Sequence, residues 1–369
     1  MKLRVAGLAP ALILGAAGLL SGGAEAVSGG AEAAGILSNG TVALGVKDTG
    51  ALNVGGGTTI YGPSFTSPGT GTVGGTGVRG LFVNGTSGYE ATFPGCLCEG
   101  WGAAIASLGT TGFDGNGFSG ITPVSAVFGT DGGGRGIATT VVTIGGVLEV
   151  THDFKPSASS YLYQVDVTLK NISGADLGSG ATDLRYTRLM DFDTEPTAFS
   201  EFITIGGHPA TNLLTTSDDG FEAANPLSPT SSLSGCAPVG ANFTDCGPAD
   251  HGARFDFGFD ALAGVDDPTT PDVDESLRTF TIFYGAAPTE ALADLARAVV
   301  GAEVYAYGQP SVAGGPSTGS PITYIFGFKG VGGIAPPPPG GTVPAPATLG
   351  LLGAGLLGLG AVRRRQTAV

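Results

Sequence analysis

Asp191-x-Asp193-x-Glu195 sets three carboxylates on alternate residues, directly after the strand-like run Leu184 to Met190. Hard oxygen ligands of this kind suit Ca²⁺. A second acidic group, Asp266-Asp267 with Asp272, Asp274 and Glu275, fills a proline-containing loop and offers the same chemistry. Neither follows the helix-loop-helix calcium pattern with its fixed glycine and terminal Glu. A solvated acidic loop is the competing reading for each. Ca²⁺ is the one ion these residues suggest, and no other cofactor is expected.

Asp191 and Glu201 are also candidates for the two carboxylates of glycoside hydrolysis, a chemistry that depends on their separation in space. His152-Asp153 has the residue types of a general base and its orienting acid, against the commoner reading of an ordinary strand-end histidine. The chain has no Gly-x-Ser-x-Gly elbow for an esterase nucleophile and no other recognised catalytic motif. A non-enzymatic protein is the expectation.

The four cysteines fall as Cys96-Leu97-Cys98 and Cys236 with Cys246. An even count favours disulfides wherever a chain meets an oxidising environment. Local pairing is preferred, although a Cys96–Cys98 ring is strained relative to the usual Cα separation of about 5.5–6 Å. Crossed pairing is the alternative. The segment between Cys236 and Cys246 is rich in Pro, Ser and Gly and lacks strand character. Zinc is not expected, since there is no Cys-x2-Cys spacing and His152, His208 and His251 are scattered.

These residues need a framework, and glycine dominates it: 67 of 369 residues, with only 13% charged. Disorder is opposed by 42% hydrophobic content, 19 Phe and 9 Tyr, enough for a core. The glycines do not recur at every third position, which excludes collagen. They punctuate β-branched and aromatic runs, as turns between short strands do. Tyr161, Tyr163, Val165, Val167 and Leu169 alternate with Gln164, Asp166, Thr168 and Lys170, the period of a half-buried strand. Thr139–Ile144 and Val147–Thr151, joined by Gly145-Gly146, read as a hairpin. Further strands are predicted at Thr41–Val46, Val78–Asn84, Val124–Phe128, Leu184–Met190, Phe202–Ile205, Phe255–Phe259, Leu277–Tyr284, Glu303–Tyr307 and Ile322–Phe328. One helix is predicted over Thr289–Val300, with Leu292, Leu295, Ala296 and Val299 as its apolar stripe and Gly301 as its stop. The fold class is all-β: an antiparallel β-sandwich or large supersandwich with one short inserted α-helix.

The two ends read as addresses. Met1–Arg4 is basic, residues 5–20 are apolar, and Ala24-Glu25-Ala26 supplies small-x-small, together a secretory signal peptide. At the other end Leu349–Val362 is apolar but laced with glycine, and as a helix spans about 21 Å against a hydrocarbon core of about 30 Å. Arg363, Arg364 and Arg365 follow and favour the cytoplasmic side, so the body would face outward. Pro336 to Pro339 with Gly340-Gly341 make a stiff spacer and a flexible joint. The net charge of −15 makes nucleic acid an unsuitable partner.

Val343-Pro344-Ala345-Pro346-Ala347-Thr348, the glycine-laced leucine helix and the terminal arginines together resemble the PEP-CTERM sorting signal. Ala345 stands where that family has Glu between the prolines. The resemblance implies a C-terminal transmembrane sorting helix and processing by exosortase, a membrane protease-transpeptidase of Gram-negative bacteria that make extracellular polysaccharide. Two shorter stretches carry weaker resemblances. Residues 35–54 look like the first strands of supersandwich domains in carbohydrate-handling enzymes, and Leu184–Asp193 resembles a strand motif of uncharacterised secreted bacterial β-proteins.

The expected organisation is a signal peptide over 1–26, a mature N-terminal segment over 27–34 and a β-sandwich body over 35–331, with a subdivision near 136 as an option. A spacer over 332–342 and the sorting signal over 343–369 follow. The expected function is that of an exported cell-surface or extracellular-matrix protein, structural or adhesive, in contact with exopolysaccharide in a biofilm. The alternative is a carbohydrate-binding or carbohydrate-active supersandwich protein.

Overall fold

The structure, a computed structural model, describes residues 25–27, 33–65, 75–81, 89–95, 99–233, 236, 238–265, 274–312 and 315–337. Cys96, Cys98, Asp266, Asp267, Asp272 and the sorting segment from Val343 to Val369 lie outside the described residues.

Alternation builds the largest sheet. Along Leu162–Asn171, Tyr163, Val165, Val167 and Leu169 are fully buried, while the polar residues between them are not. This strand is the fourth in a run of antiparallel hairpin neighbours, Ile121–Thr130, Gly136–Ile144, Leu148–Pro156 and Leu162–Asn171. The Gly145-Gly146 turn works as its sequence predicts. Both glycines have positive φ, 60° and 67°, and the Val147 N–H donates to the Ile144 carbonyl at 3.2 Å, the geometry of a type I′ turn. The sheet continues through Leu277–Ala287, Thr323–Lys329, Val304–Pro310 and Glu201–Gly206 to Phe243–Ala249, ten strands with Glu25–Val27 at its other edge. That first strand pairs Ala26 with Val127, so the pairing straddles the expected end of the leader.

A six-stranded antiparallel sheet packs against it, ordered Phe118–Ser119, Thr110–Asp114, Glu99–Ile105, Leu184–Asp191, Gly252–Phe259 and Leu213–Ser217. Phe255, Phe257 and Phe259 line one face of their strand and meet Phe280, Phe326 and Phe328 of the larger sheet, with Phe257 and Phe328 centroids 4.8 Å apart. A smaller sheet of Ile60–Tyr61, Ala34–Ser38, Val42–Lys47 and Val78–Gly80 adds Leu37, Val42 and Leu44 to the same core. Layered sheets, antiparallel except where Ile60–Tyr61 runs parallel to Ala34–Ser38, surround a shared apolar interior and make this an all-β sandwich.

Strands also form at Glu99–Ile105, Thr110–Asp114 and Leu213–Ser217, where none is predicted, and two further elements depart from expectation. The helix forms over Glu290–Val300 with Thr289 as its cap, but it buries Ala293, Ala296 and Val300, leaving Leu295 and Val299 about half exposed. It lies on the outer face of the large sheet, where Leu162, Phe283, Tyr307 and Ile325 supply the bulk and small helix residues permit close approach. The Thr289 hydroxyl accepts from the Leu292 N–H, so Thr289→Ala is expected to cost about 1 kcal/mol, read as a lower urea midpoint at unchanged slope. The second departure is the segment after Cys236. Cys236 and Cys246 are bonded with Cα atoms 5.9 Å apart, yet Cys246 sits within an edge strand, Phe243–Ala249, rather than a strandless loop. Pairing with Glu201–Gly206 across irregular register accommodates its Pro and Gly at a sheet edge.

Candidate metal centre

The chain passes between the two large sheets twice at one end of the sandwich. Leu184–Asp191 ends in the six-stranded sheet, and the chain re-enters the ten-stranded sheet at Glu201. It returns through Asp250, the link between Phe243–Ala249 and Gly252–Phe259. Strand register fixes the meeting: Asp191 pairs with Gly252, and Glu201 with Ala249, so Asp250 is held between them. Asp191, Asp193 and Asp250 come together, each offering a carboxylate oxygen within 4.8 Å of the others.

Glycines allow this crowding. A Cβ on Gly252 would stand 2.7 Å from the Asp191 Cα, and one on Gly95 would stand 2.1 Å from Asp193 Oδ2. Asp191, Asp193 and Glu201 are fully buried, whereas Asp250 is exposed and opens the group to solvent. Glu201 accepts from the His251 and Ser200 backbone N–H groups, both at 3.2 Å. Among the described residues, neither oxygen of Asp193 makes a well-formed hydrogen bond.

Burial and mutual repulsion raise these acids together. Desolvation, then the charges of Asp193, Asp250 and Glu201, push Asp191 far above the usual carboxylate range. Desolvation and Asp250 raise Asp193, although the nearby Gly95 N–H offsets part of the rise. Glu201 is pushed up to about 8, first by desolvation, with Asp193 and Asp250 adding to it against the His251 N–H. Such a group holds protons at neutral pH or takes a cation in their place.

The third predicted ligand is elsewhere. The Glu195 backbone N–H and side chain engage Glu90, with Oε2 accepting from the Glu90 N–H at 3.0 Å. Asp250 occupies the place that Glu195 was expected to take. Its only sequence signal is the acidic step just before the alternating Phe strand, remote from Asp191 along the chain. The second acidic loop is described only at its end, where Asp274 accepts from the N–H and hydroxyl of Ser276. His152 and Asp153 are not a base and its orienter. Adjacent strand residues face opposite ways, so His152 enters the core beside Trp101 and Tyr186 while Asp153 pairs outside with Lys155. Asp218, Cys246 and His251 also converge, but the disulfide removes the Cys246 sulfur as a thiolate ligand.

The described residues thus form an all-β body, followed by a proline-rich segment and a C-terminal stretch of quite different composition. That stretch matches the PEP-CTERM protein-sorting motif over residues 342–365, which marks the chain as an exported, exosortase-sorted bacterial protein made as a membrane-anchored precursor. No curated protein and no solved structure matches the chain. Among the described residues no helix is long and apolar enough to cross a membrane.

Proposed function

We propose that the chain is a non-catalytic extracellular protein that exosortase releases from its membrane anchor into the polysaccharide matrix, where the β body serves a structural or adhesive role. The sorting motif at residues 342–365 carries this reading. Proline restricts φ and lacks a backbone N–H, so the residue types at Pro344 and Pro346 suit a protease substrate. The run of four prolines from Pro336 has the composition of a stiff spacer between body and anchor.

The carbohydrate-active alternative draws on Asp191 and Glu201. Hydrolysis needs one ionised and one protonated carboxyl flanking a bound sugar. Both groups here are raised and fully buried, which leaves a glycosidic bond no approach to either. A non-catalytic body fits them better.

Mass spectrometry of the protein recovered from medium and matrix is expected to find chains ending between Pro344 and Thr348. Recovery of only full-length chain, with Arg363–Arg365 intact, would overturn the processing step. Retention is tested separately, by comparing a polysaccharide-deficient strain with its parent. Equal release into the medium from both would remove the matrix role.

A further inference from the structure

We propose that Asp191, Asp193 and Asp250 form a Ca²⁺ site that clamps the crossover between the two large sheets, with Glu201 as an adjoining carboxylate. This inference is independent of the matrix role.

The first support is a contrast within the molecule. Three other buried acids sit against arginine: Glu99 with Arg188, Glu90 with Arg79, Asp256 with Arg254. At the crossover, by contrast, the carboxylates of Asp191, Asp193 and Asp250 converge on one another. His251 acts on Asp250, and its Nδ1 is 3.7 Å from Asp218.

The second support is Asp193 itself. It is fully buried, among the described residues neither of its oxygens makes a well-formed hydrogen bond, the Gly95 N–H being merely near, and it belongs to the group. One proton would satisfy only one of those oxygens. A metal ion satisfies carboxylates through their lone pairs, with no need for donors.

The dimensions suit the larger hard cation. Two oxygens bound to one Ca²⁺ at about 2.3–2.6 Å stand at most about 5 Å apart, and the three oxygens here lie within 4.8 Å of one another. Exposed Asp250 gives the ion a route in and lets water complete its coordination. An exported protein also meets Ca²⁺ at concentrations that weak extracellular sites exploit, with Kd of about 10⁻⁴–10⁻³ M.

The test uses the full chain purified in detergent, stripped with EDTA and titrated with CaCl2 or MgCl2 at pH 8. With about 10 mM CaCl2, an upward Tm shift of roughly 5 °C is expected, with a smaller shift in MgCl2. Asp250→Asn alters only an exposed side chain and is expected to weaken Ca²⁺ binding at least tenfold by calorimetry. Asp193→Asn removes a buried charge, so it should melt above the wild type in EDTA and no longer respond to Ca²⁺. Gly95→Ala forces a methyl group against the Asp193 carboxylate and should weaken binding without removing a ligand. No shift in the wild type, an equal shift in MgCl2, or full Ca²⁺ responses in Asp250→Asn and Asp193→Asn would each overturn the site.

Discussion

Arg188→Met is expected to destabilise the fold by about 3–5 kcal/mol, because it strands a buried carboxylate. Arg188 is fully buried at the centre of the six-stranded sheet. Its Nε donates to Glu99 Oε1 at 2.7 Å, and its other nitrogens reach the Tyr186 hydroxyl and the Gly50 carbonyl. Glu99 also accepts from the Tyr284 hydroxyl at 2.9 Å and the Leu52 N–H at 2.7 Å. The pair therefore joins the two large sheets and the turn that follows Val42–Lys47. Without Arg188, two neutral donors remain to hold an ionised group in the core. Chemical denaturation of the single variant and of Arg188→Met/Glu99→Leu separates charge from packing. The double variant is expected to recover a large part of the loss, as replacing both members of a buried pair commonly does. Equal losses in both would place the effect in packing.

Sequence pattern reveals this core unevenly, and the reason is geometric. Leu162–Asn171 is legible because one face meets the core and the other is polar, so alternation survives. Glu99–Ile105 is illegible because every residue is buried and four of its seven residues are Gly or Ala, so no alternation survives. The helix shows its ends through Thr289 and Gly301, but its buried face rests on alanines that carry little hydrophobic signal. The candidate metal centre divides in the same way. Asp191 and Asp193 stand out as alternating acids after a strand. Asp250 joins them only through register between strands distant in sequence, which no local pattern encodes. Glu195 shares their spacing, yet the chain turns toward Glu90 before reaching it.

His152 should make the fold sensitive to mild acid. Its ring is fully buried, 4.6 Å from the Trp101 ring centroid and near Phe154, with Nε2 3.0 Å from the Tyr186 hydroxyl. Burial, and then the positive charge of Arg188, hold its pKa well below the ordinary histidine value. The folded state therefore binds fewer protons here than the unfolded chain. The resulting stability is fully present above the unfolded pKa of about 6.5 and is lost as pH falls toward the depressed folded value. Each unit below about 6.5 should remove up to about 1.4 kcal/mol until that folded value is reached. The raised carboxyls at the crossover act with the opposite sign, gaining stability as pH falls through their own range. Total stability will therefore show a blunted slope, and the difference between wild type and His152→Gln isolates the histidine. Urea denaturation from pH 7.5 to pH 5 in EDTA should show the variant less stable at the top of that range and gaining on the wild type below about pH 6.5. Parallel profiles would mean that the imidazole takes up its proton inside the folded core, with Tyr186 and Arg188 rearranging to admit the charge.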